Sequence, residues 1–441
     1  MRNFTFKGLF LIAVFMLLGY LSIQAANDDL ITKQITIKLE EACTLPDRIA
    51  SSEMYKITNL KIIGEINGTD WNMIREMAGR DNRGYGTEGK LSVLDLSEAK
   101  IVKGGDSYYP GDNCYTSNDE IGEKAFKDCS RLTSLTLPVG ITSIGYDAFA
   151  YCSGLTSLTL PAGITSIGEY AFYGCSGLTS LNLPAGITEI GESTFSDCSG
   201  LTSLTLPDGI TSIGISAFAY CSGLTSLNLP AGITSIDKYA FLDCSGLTSL
   251  TLPDGITSIG SRAFYGCSGL TSLTLPAGIT SIGDDTFYGC SGLTSLTLPA
   301  GITSIDKYAF SGCSRLTSLT LPAGITSIGE FAFSYCSGLT SIYVYAEKVP
   351  RIGRYAFEGC ASKKCTVYVP MGTYDDYRLS EFGYFENIVE FDATGIDKTT
   401  TSTDVEEVSR YSVNGQRLAV PVKGLNIVKY SDGSARKVVV K

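Results

Sequence analysis

From Cys129 to Tyr335 the chain repeats itself nine times at a fixed interval of 23 residues. Each copy is close to Cys-Ser-Gly-Leu-Thr-Ser-Leu-Thr-Leu-Pro-Ala-Gly-Ile-Thr-Ser-Ile-Gly-x-x-Ala-Phe-x-x. A unit this short cannot bury an apolar face alone, so the copies must stack and share a continuous core. The period therefore predicts a solenoid over this stretch. A solenoid offers a long repetitive surface, which points to contact with a partner rather than to chemistry.

Counting from Cys as position 1, apolar residues fall at 4, 7, 9, 13, 16, 20 and 21; in one copy these are Leu155, Leu158, Leu160, Ile164, Ile167, Ala171 and Phe172. Leu-Thr-Leu alternates with period two and reads as a short strand with its leucines inward. Pro161 has no N–H to give a ladder and closes that strand. Gly163 opens a turn and Ile-Thr-Ser-Ile begins a second extended piece. The spacing from Ile167 to Phe172 fits one helical or 3₁₀ turn back to the next Cys. Strands stacked ~4.8 Å apart over ten coils make a parallel sheet on the order of 50 Å long.

This pattern, Leu-x-x-Leu-x-Leu-Pro-x-x-Ile-x-x-Ile-Gly-x-x-Ala-Phe-x-x-Cys, resembles the leucine-rich repeat of the BspA-type family over roughly residues 90–391. These are surface proteins of anaerobic Bacteroides-group bacteria and some mucosal protozoa. The resemblance implies a leucine-rich repeat stack with a parallel sheet on one face and short strands with helical or 3₁₀ turns on the other. It also implies adhesion, to host matrix or plasma proteins or to other cells, and brings no catalytic residues with it.

Arg2 and Lys7 precede an apolar run from Gly8 to Ile23, and Gln24-Ala25-Ala26 offers a cleavage site. Residues 1–26 thus read as a secretory signal peptide, too short and wrongly flanked to span a membrane. No later stretch is long enough to span one. The formal charge is −11, with no Lys/Arg block, so the chain has no electrostatic footprint for nucleic acid.

Histidine is absent. Ser-His-Asp and Cys-His arrangements, His-ligated zinc and imidazole catalysis are therefore excluded. Asp284-Asp285 is an adjacent acidic pair, but other copies hold Glu-Tyr, Lys-Tyr or Ser-Arg in those slots, which marks surface variation. Gly84-x-Gly86-x-x-Gly89 fits a dinucleotide fingerprint with its context inverted, since a strand, Leu91 to Leu96, follows instead of a helix. Ser235-x-x-Lys238 and Ser304-x-x-Lys307 merely place Lys in a variable slot, and Asn67-Gly68-Thr69 is a glycosylation sequon by pattern alone. The expectation is a non-enzymatic protein without cofactor or metal.

Ten cysteines recur at period 23 from Cys129 to Cys336, and Cys360 follows after a one-residue insertion. Stacking puts their Cα atoms ~4.8 Å apart, but parallel Cβ vectors leave the Cβ atoms wider than the ~3.8 Å a disulfide wants. A ladder of buried thiols is expected, with Cys43, Cys114 and the Cys360/Cys365 pair as disulfide candidates off it.

Residues 27–89 do not repeat and carry Trp71-x-x-Ile74-x-x-Met77, suited to a helix. An open solenoid end exposes core, so this segment is expected to cap coil one. The stack, 90–391, has a Tyr-rich insertion at Gly104 to Asn118 and its own C-terminal cap from Cys365 to Phe391; residues 392–404 read as a linker. Residues 405–441 form a small β-module: Asn414-Gly415 signals one hairpin, and Lys423 to Val428 with Lys437 to Lys441 a second. Tyr-x-x-x-Gly-x-x-Leu, Lys-Gly-Leu-x-Ile-Val and Lys-Val-Val-Val-Lys resemble the C-terminal sorting domain of the Bacteroidetes type IX secretion route. That resemblance implies passage across the outer membrane to the cell exterior.

Positions 5, 6 and 8 are Thr, Ser and Thr or Asn in nearly every copy, whereas the copies differ at 18, 19, 22 and 23. Tyrosine recurs there. Tyr146, Tyr170, Tyr173, Tyr239, Tyr265, Tyr288, Tyr308 and Tyr355, with Tyr108 and Tyr109 of the insertion, are the candidate binding residues; Tyr151, Tyr220 and Tyr335 extend the ridge. Tyr on a Ser/Gly background gives rigid amphipathic contact area at small entropic cost. A protein or glycan ligand on a host or neighbouring cell is the expected partner, and a passive surface layer or polymer-binding array the alternative.

Overall fold

The computed structural model describes residues 29–109, 111, 113–393, 407–412, 417–418, 420, 423–430 and 435–440. The expected leader, the linker from 394 onward, and the turns at Asn414-Gly415 and 431–434 lie outside the described residues. The chain forms two units, one ending at Phe391 and the other Asp392–Lys441.

The first unit is a parallel β-solenoid. A typical coil contributes a three-residue strand at positions 6–8, such as Ser157–Thr159, and a two-residue strand at 15–16, such as Ser166–Ile167. Like pairs with like: Ser134 with Ser157, Leu135 with Leu158. The strand sits one residue earlier than the Leu-Thr-Leu reading, because Pro at position 10 has no N–H for a further rung. The Leu158 and Leu160 side chains still point inward.

The return segment is not helical. The N–H groups of positions 19, 21 and 23 point forward into the next coil: Tyr170 to the Glu192 carbonyl (2.9 Å), Phe172 to Thr194 (2.9 Å), Gly174 to Ser196 (2.8 Å). Positions 20, 22 and 1 close i→i−3 turns instead, as in Tyr173 to Tyr170 (3.0 Å). With every second N–H committed between coils, no helical or 3₁₀ run survives in the repeats. The geometry requires a left-handed residue at 19 and 23 in every coil, for example Tyr170 (φ 57°), Gly174 (69°), Tyr239 (60°) and Asp243 (52°). Peptide groups 18/19, 20/21 and 22/23 therefore stack head to tail in three hydrogen-bonded columns.

Two side-chain columns run beside them. Eleven phenylalanines from Phe126 to Phe357 stack with neighbouring ring centroids 5.1–5.8 Å apart, all within 2% of full burial. Burying each ring contributes about 2–3 kcal/mol. No cysteine forms a disulfide, and ten of the ladder thiols donate S–H to a backbone carbonyl: Cys152 to Phe126 (3.0 Å), Cys175 to Phe149 (3.1 Å), and so on to Cys360 and Phe333 (3.2 Å). Cys360 thus belongs to the ladder rather than to a disulfide with Cys365, and Cys43 and Cys114 form no disulfide either. Burial pushes the thiols up, to about 12 at Cys175, Cys221 and Cys290.

The two-residue strands form three sheets, interrupted at two coils. Those coils are the ones with Thr in place of Ala at position 20. Thr194 and Thr286 donate their hydroxyls to the Gly191 and Gly283 carbonyls (3.0 and 2.9 Å). Elsewhere that glycine's N–H reaches the preceding coil, as Gly168 does to Ile144 (2.8 Å). The isoleucines facing the interruptions, Ile167 and Ile259, are half-buried where their counterparts from Ile144 to Ile328 are buried.

At the N-terminal end, strands Ile35–Lys38 and Asn59–Ile66 join the first sheet ahead of Val93–Ile101, so the segment expected as a cap also extends the stack. The helix Gly68–Met77 buries Trp71, Ile74 and Met77 as its spacing predicts. Its Asn67 is buried as the helix cap, accepting from the Thr69 N–H (3.1 Å), which closes the sequon to modification in the folded chain. Trp71 continues the ring column, 5.1 Å from Phe126. The carbonyl ends of the three peptide columns are met by side chains: Glu123 by Tyr108 Oη (2.9 Å), Ala125 by Trp71 Nε1 (2.9 Å) and Arg75 Nη1 (3.0 Å), Lys127 by Arg75 Nη2 (3.5 Å). Aligned peptide dipoles leave negative charge at such an end, as at a helix C-terminus, and the fully buried guanidinium of Arg75 answers it.

At the far end, strands Thr366–Pro370 and Asn387–Phe391 prolong the sheet, and Phe382 and Phe385 close on Phe357 at 5.0 and 5.4 Å. The second unit is an antiparallel sheet of Glu407–Ser412, Arg417–Leu418, Gly424–Tyr430 and Ala435–Val440. It contains the two expected strand pairs, joined by pairing of the first strand with the third.

Candidate functional site

The left-handed positions decide which rings face outward. A non-glycine residue there costs roughly 1–2 kcal/mol, which the forward hydrogen bonds and the stack must offset. In return, positions 19 and 23 carry their side chains away from the Phe column. Tyr151, Tyr220, Tyr335 and Tyr355 are exposed, and Tyr170, Tyr239 and Tyr308 half-buried.

The rings group into two clusters. In the first, Tyr170 lies 5.5 Å from Tyr146 and 5.8 Å from Tyr173, which meets Tyr151 edge-on at 5.1 Å. Tyr170 Oη donates to Glu192, and that bond, with burial, raises its pKa above the ordinary phenol value. The next two coils carry Ser193, Ser196, Ser216 and Ala219 at positions 19 and 22, so the ridge is interrupted.

The second cluster surrounds a cleft of about 500 Å³. Tyr265 and Tyr288 stack at 4.7 Å, and Tyr288, Tyr308, Phe331 and Tyr355 follow at 6.3, 4.9 and 5.2 Å. Arg262 lies over the Tyr239 ring (5.7 Å), donates to its hydroxyl (3.0 Å) and pairs with Asp285 (3.1 Å). Asp285 thus holds a guanidinium, and Asp284 Oδ1 accepts the Lys307 N–H (3.1 Å), so the acidic pair is engaged structurally. Among the described residues there is no group of three or more His, Cys, Asp or Glu able to hold a metal.

Tyr108 does not belong to this surface. It is 1% exposed, packs 6.2 Å from Trp71 and donates to Glu123, because the insertion folds as a hairpin, Gly104–Tyr109 with Cys114–Thr116, laid against the Trp71 helix. Tyr109 is half-buried under Arg75 and Lys124, at 5.3 and 5.7 Å. The remaining eight candidates line the turn face. Sequence reasoning missed Phe331, Arg262 and Asp243, although position 19 or 23 was the signal for each. It also missed an aromatic patch ending the strand face, where Tyr343 and Tyr368 stack at 4.5 Å and Phe391 meets Tyr345 at 5.2 Å.

Comparison with known proteins gives one family. Residues 119–248 and 234–364 match the BspA type leucine rich repeat region, in six copies. Similar solved structures include a leucine-rich repeat protein from Bacteroides ovatus, 25% identical, covering 70% of this chain and 88% of that one at a TM-score of 0.43. A leucine rich cell surface protein from Faecalibacterium prausnitzii is 26% identical over 66% and 86%, TM-score 0.43. The leucine rich repeat protein of T. pallidum is 28% identical over 45% and 84%, TM-score 0.36. No curated protein matches. With more than half of its length matched, the chain belongs to the BspA-type leucine-rich repeat family.

Proposed function

We propose that this is an exported, non-enzymatic adhesion protein of the cell exterior that binds a protein ligand through the tyrosine face of its solenoid. One observation carries the reading. The strand face is uniform, with Ser and Thr or Asn exposed at positions 6 and 8 of seven coils from Ser157 to Thr297. The turn face differs from coil to coil and is aromatic. An identical surface can read a repeating polymer, whereas a folded protein requires a surface that varies. The leader and the sorting-like ending support export, and the family resemblance supports adhesion.

A binding screen against matrix proteins, plasma proteins and glycans tests this. Changing Tyr170, Tyr239 and Tyr308 together to Ala should weaken protein capture by tenfold or more, since aromatic anchors contribute about 2 kcal/mol each. Unchanged capture, with loss on placing Lys at strand-face threonines, would favour the polymer-array reading instead. Surface labelling of intact cells with and without residues 405–441 tests the export route; equal labelling refutes the sorting role.

A further inference from the structure

The second tyrosine cluster holds a carboxylate with no partner. Asp243, at position 23 of its coil, is half-buried and lines the cleft with Tyr220 and the Tyr265–Tyr288 stack. Among the described residues it makes no ion pair and no side-chain hydrogen bond; the cleft's guanidinium, Arg262, is already matched by Asp285. The carboxylate leans over Gly266, where a Cβ would lie 2.0 Å from its Oδ1.

The following coils leave the same place bare. Gly266, Gly289 and Gly312 occupy position 23 in succession, with φ of 70°, 68° and 77°. Conformation does not demand glycine, since Tyr151, Tyr220 and Tyr335 adopt the same φ at that position. Space is what glycine supplies: a Cβ at Gly289 or Gly312 would meet nothing nearer than the preceding glycine's backbone, at 3.8 and 3.5 Å. In coils where Tyr stands at 23, its ring covers the next coil's glycine, as Tyr151 does Gly174 and Tyr335 does Gly359. The result is a glycine-floored trench across three coils, with Asp243 at one end and Tyr335 at the other.

We propose that this trench takes an extended segment of a partner protein whose lysine or arginine side chain reaches Asp243 beside the Tyr265–Tyr288 rings. Charge and ring chemistry agree on the occupant. An uncompensated carboxylate favours a cation, and tyrosine faces attract one, as Arg262 over Tyr239 and Lys307 over Tyr308 (5.3 Å) already show within the chain. A chain of net charge −11 draws basic partners to it.

The proposal rests on the adhesive reading and names its partner chemistry; calorimetric titration of the full chain tests it. Acetylated tri-lysine and tri-arginine amides should bind, and tri-norleucine and tri-glutamate should not. Asp243→Asn should lower affinity about tenfold, the scale of one charge-assisted contact. Gly289→Tyr should do the same with cooperative unfolding kept and only a small fall in melting temperature, because Tyr is native to that left-handed position in other coils. Asp208→Asn, which removes an exposed charge elsewhere, should change affinity less than twofold. Absence of binding by both basic peptides, or equal losses for Asp243→Asn and Asp208→Asn, overturns the proposal. If the triple tyrosine variant loses its protein ligand while Asp243→Asn keeps it, the adhesive reading stands and the basic-segment assignment falls.

Discussion

Within one coil, two rings two residues apart have opposite fates. Phe241 is fully buried between Phe218 and Phe264, at 5.4 and 5.3 Å, while Tyr239 is left-handed and faces the cleft. Phe241→Ala should destabilise by about 3–5 kcal/mol, the usual range for a buried ring. Tyr239→Ala should cost far less, although it frees Arg262 from one partner. Chemical denaturation of both variants checks this, and equal losses would mean the two faces are assigned wrongly. The inward residues were legible in the sequence because their spacing recurs in every copy. Tyr108 was not, because its burial depends on the hairpin folding onto the Trp71 helix, a contact that occurs once. Arg75 was illegible for a related reason: its acceptors, the Lys124, Ala125 and Lys127 carbonyls, come together only where the stack of coils ends.

At the level of the element, the return segment shows where periodicity stops being informative. The spacing of Ile167, Ala171 and Phe172 is compatible with a helical turn, and the structure replaces it with successive β-turns because the amide groups have better partners in the neighbouring coil. Glycine at position 23 in five coils was a signal for a left-handed residue there, masked by the Tyr and Asp that also occupy it. The thiol column is an element too, and it makes the stack sensitive to base. An unfolded cysteine titrates near ~8.5, and the folded thiols of Cys175, Cys221 and Cys290 near about 12, so the folded state holds its protons to higher pH. Their contribution is therefore complete below the unfolded value and is lost as pH rises toward the folded one. Each thiol should cost about 1.4 kcal/mol per pH unit within that window. Replacing those three cysteines by Ala should make stability fall less steeply between pH 9 and 11, by about 4 kcal/mol per unit for the three. Denaturant midpoints measured across that range check it; parallel slopes for the two proteins would refute the buried, protonated ladder.

For the whole molecule, the peptide columns, ring column and thiol column all share one repeat, and each end meets only the coil it touches. Arg75 and Trp71 contact the turn beginning near Glu123, and Phe382 and Phe385 contact Phe357. Length is consequently quantised. Removing Cys221–Asp243, one full coil, should leave a cooperatively folding protein with both ends intact. Removing 22 residues, with the mismatch placed in the turn segment, should abolish cooperative unfolding, since a one-residue slip sends inward side chains outward. Circular dichroism melts of the two deletions distinguish these outcomes. The chain already shows where a departure is harmless: the extra residue between Cys336 and Cys360 falls in the loop before the second strand, and Phe333 still reaches Ala356 at 2.8 Å. The unit of structure is thus also a unit of recombination. Unequal exchange between nearly identical copies would lengthen or shorten the stack by whole coils without disturbing its ends, and the left-handed surface positions would remain free to diverge after each duplication.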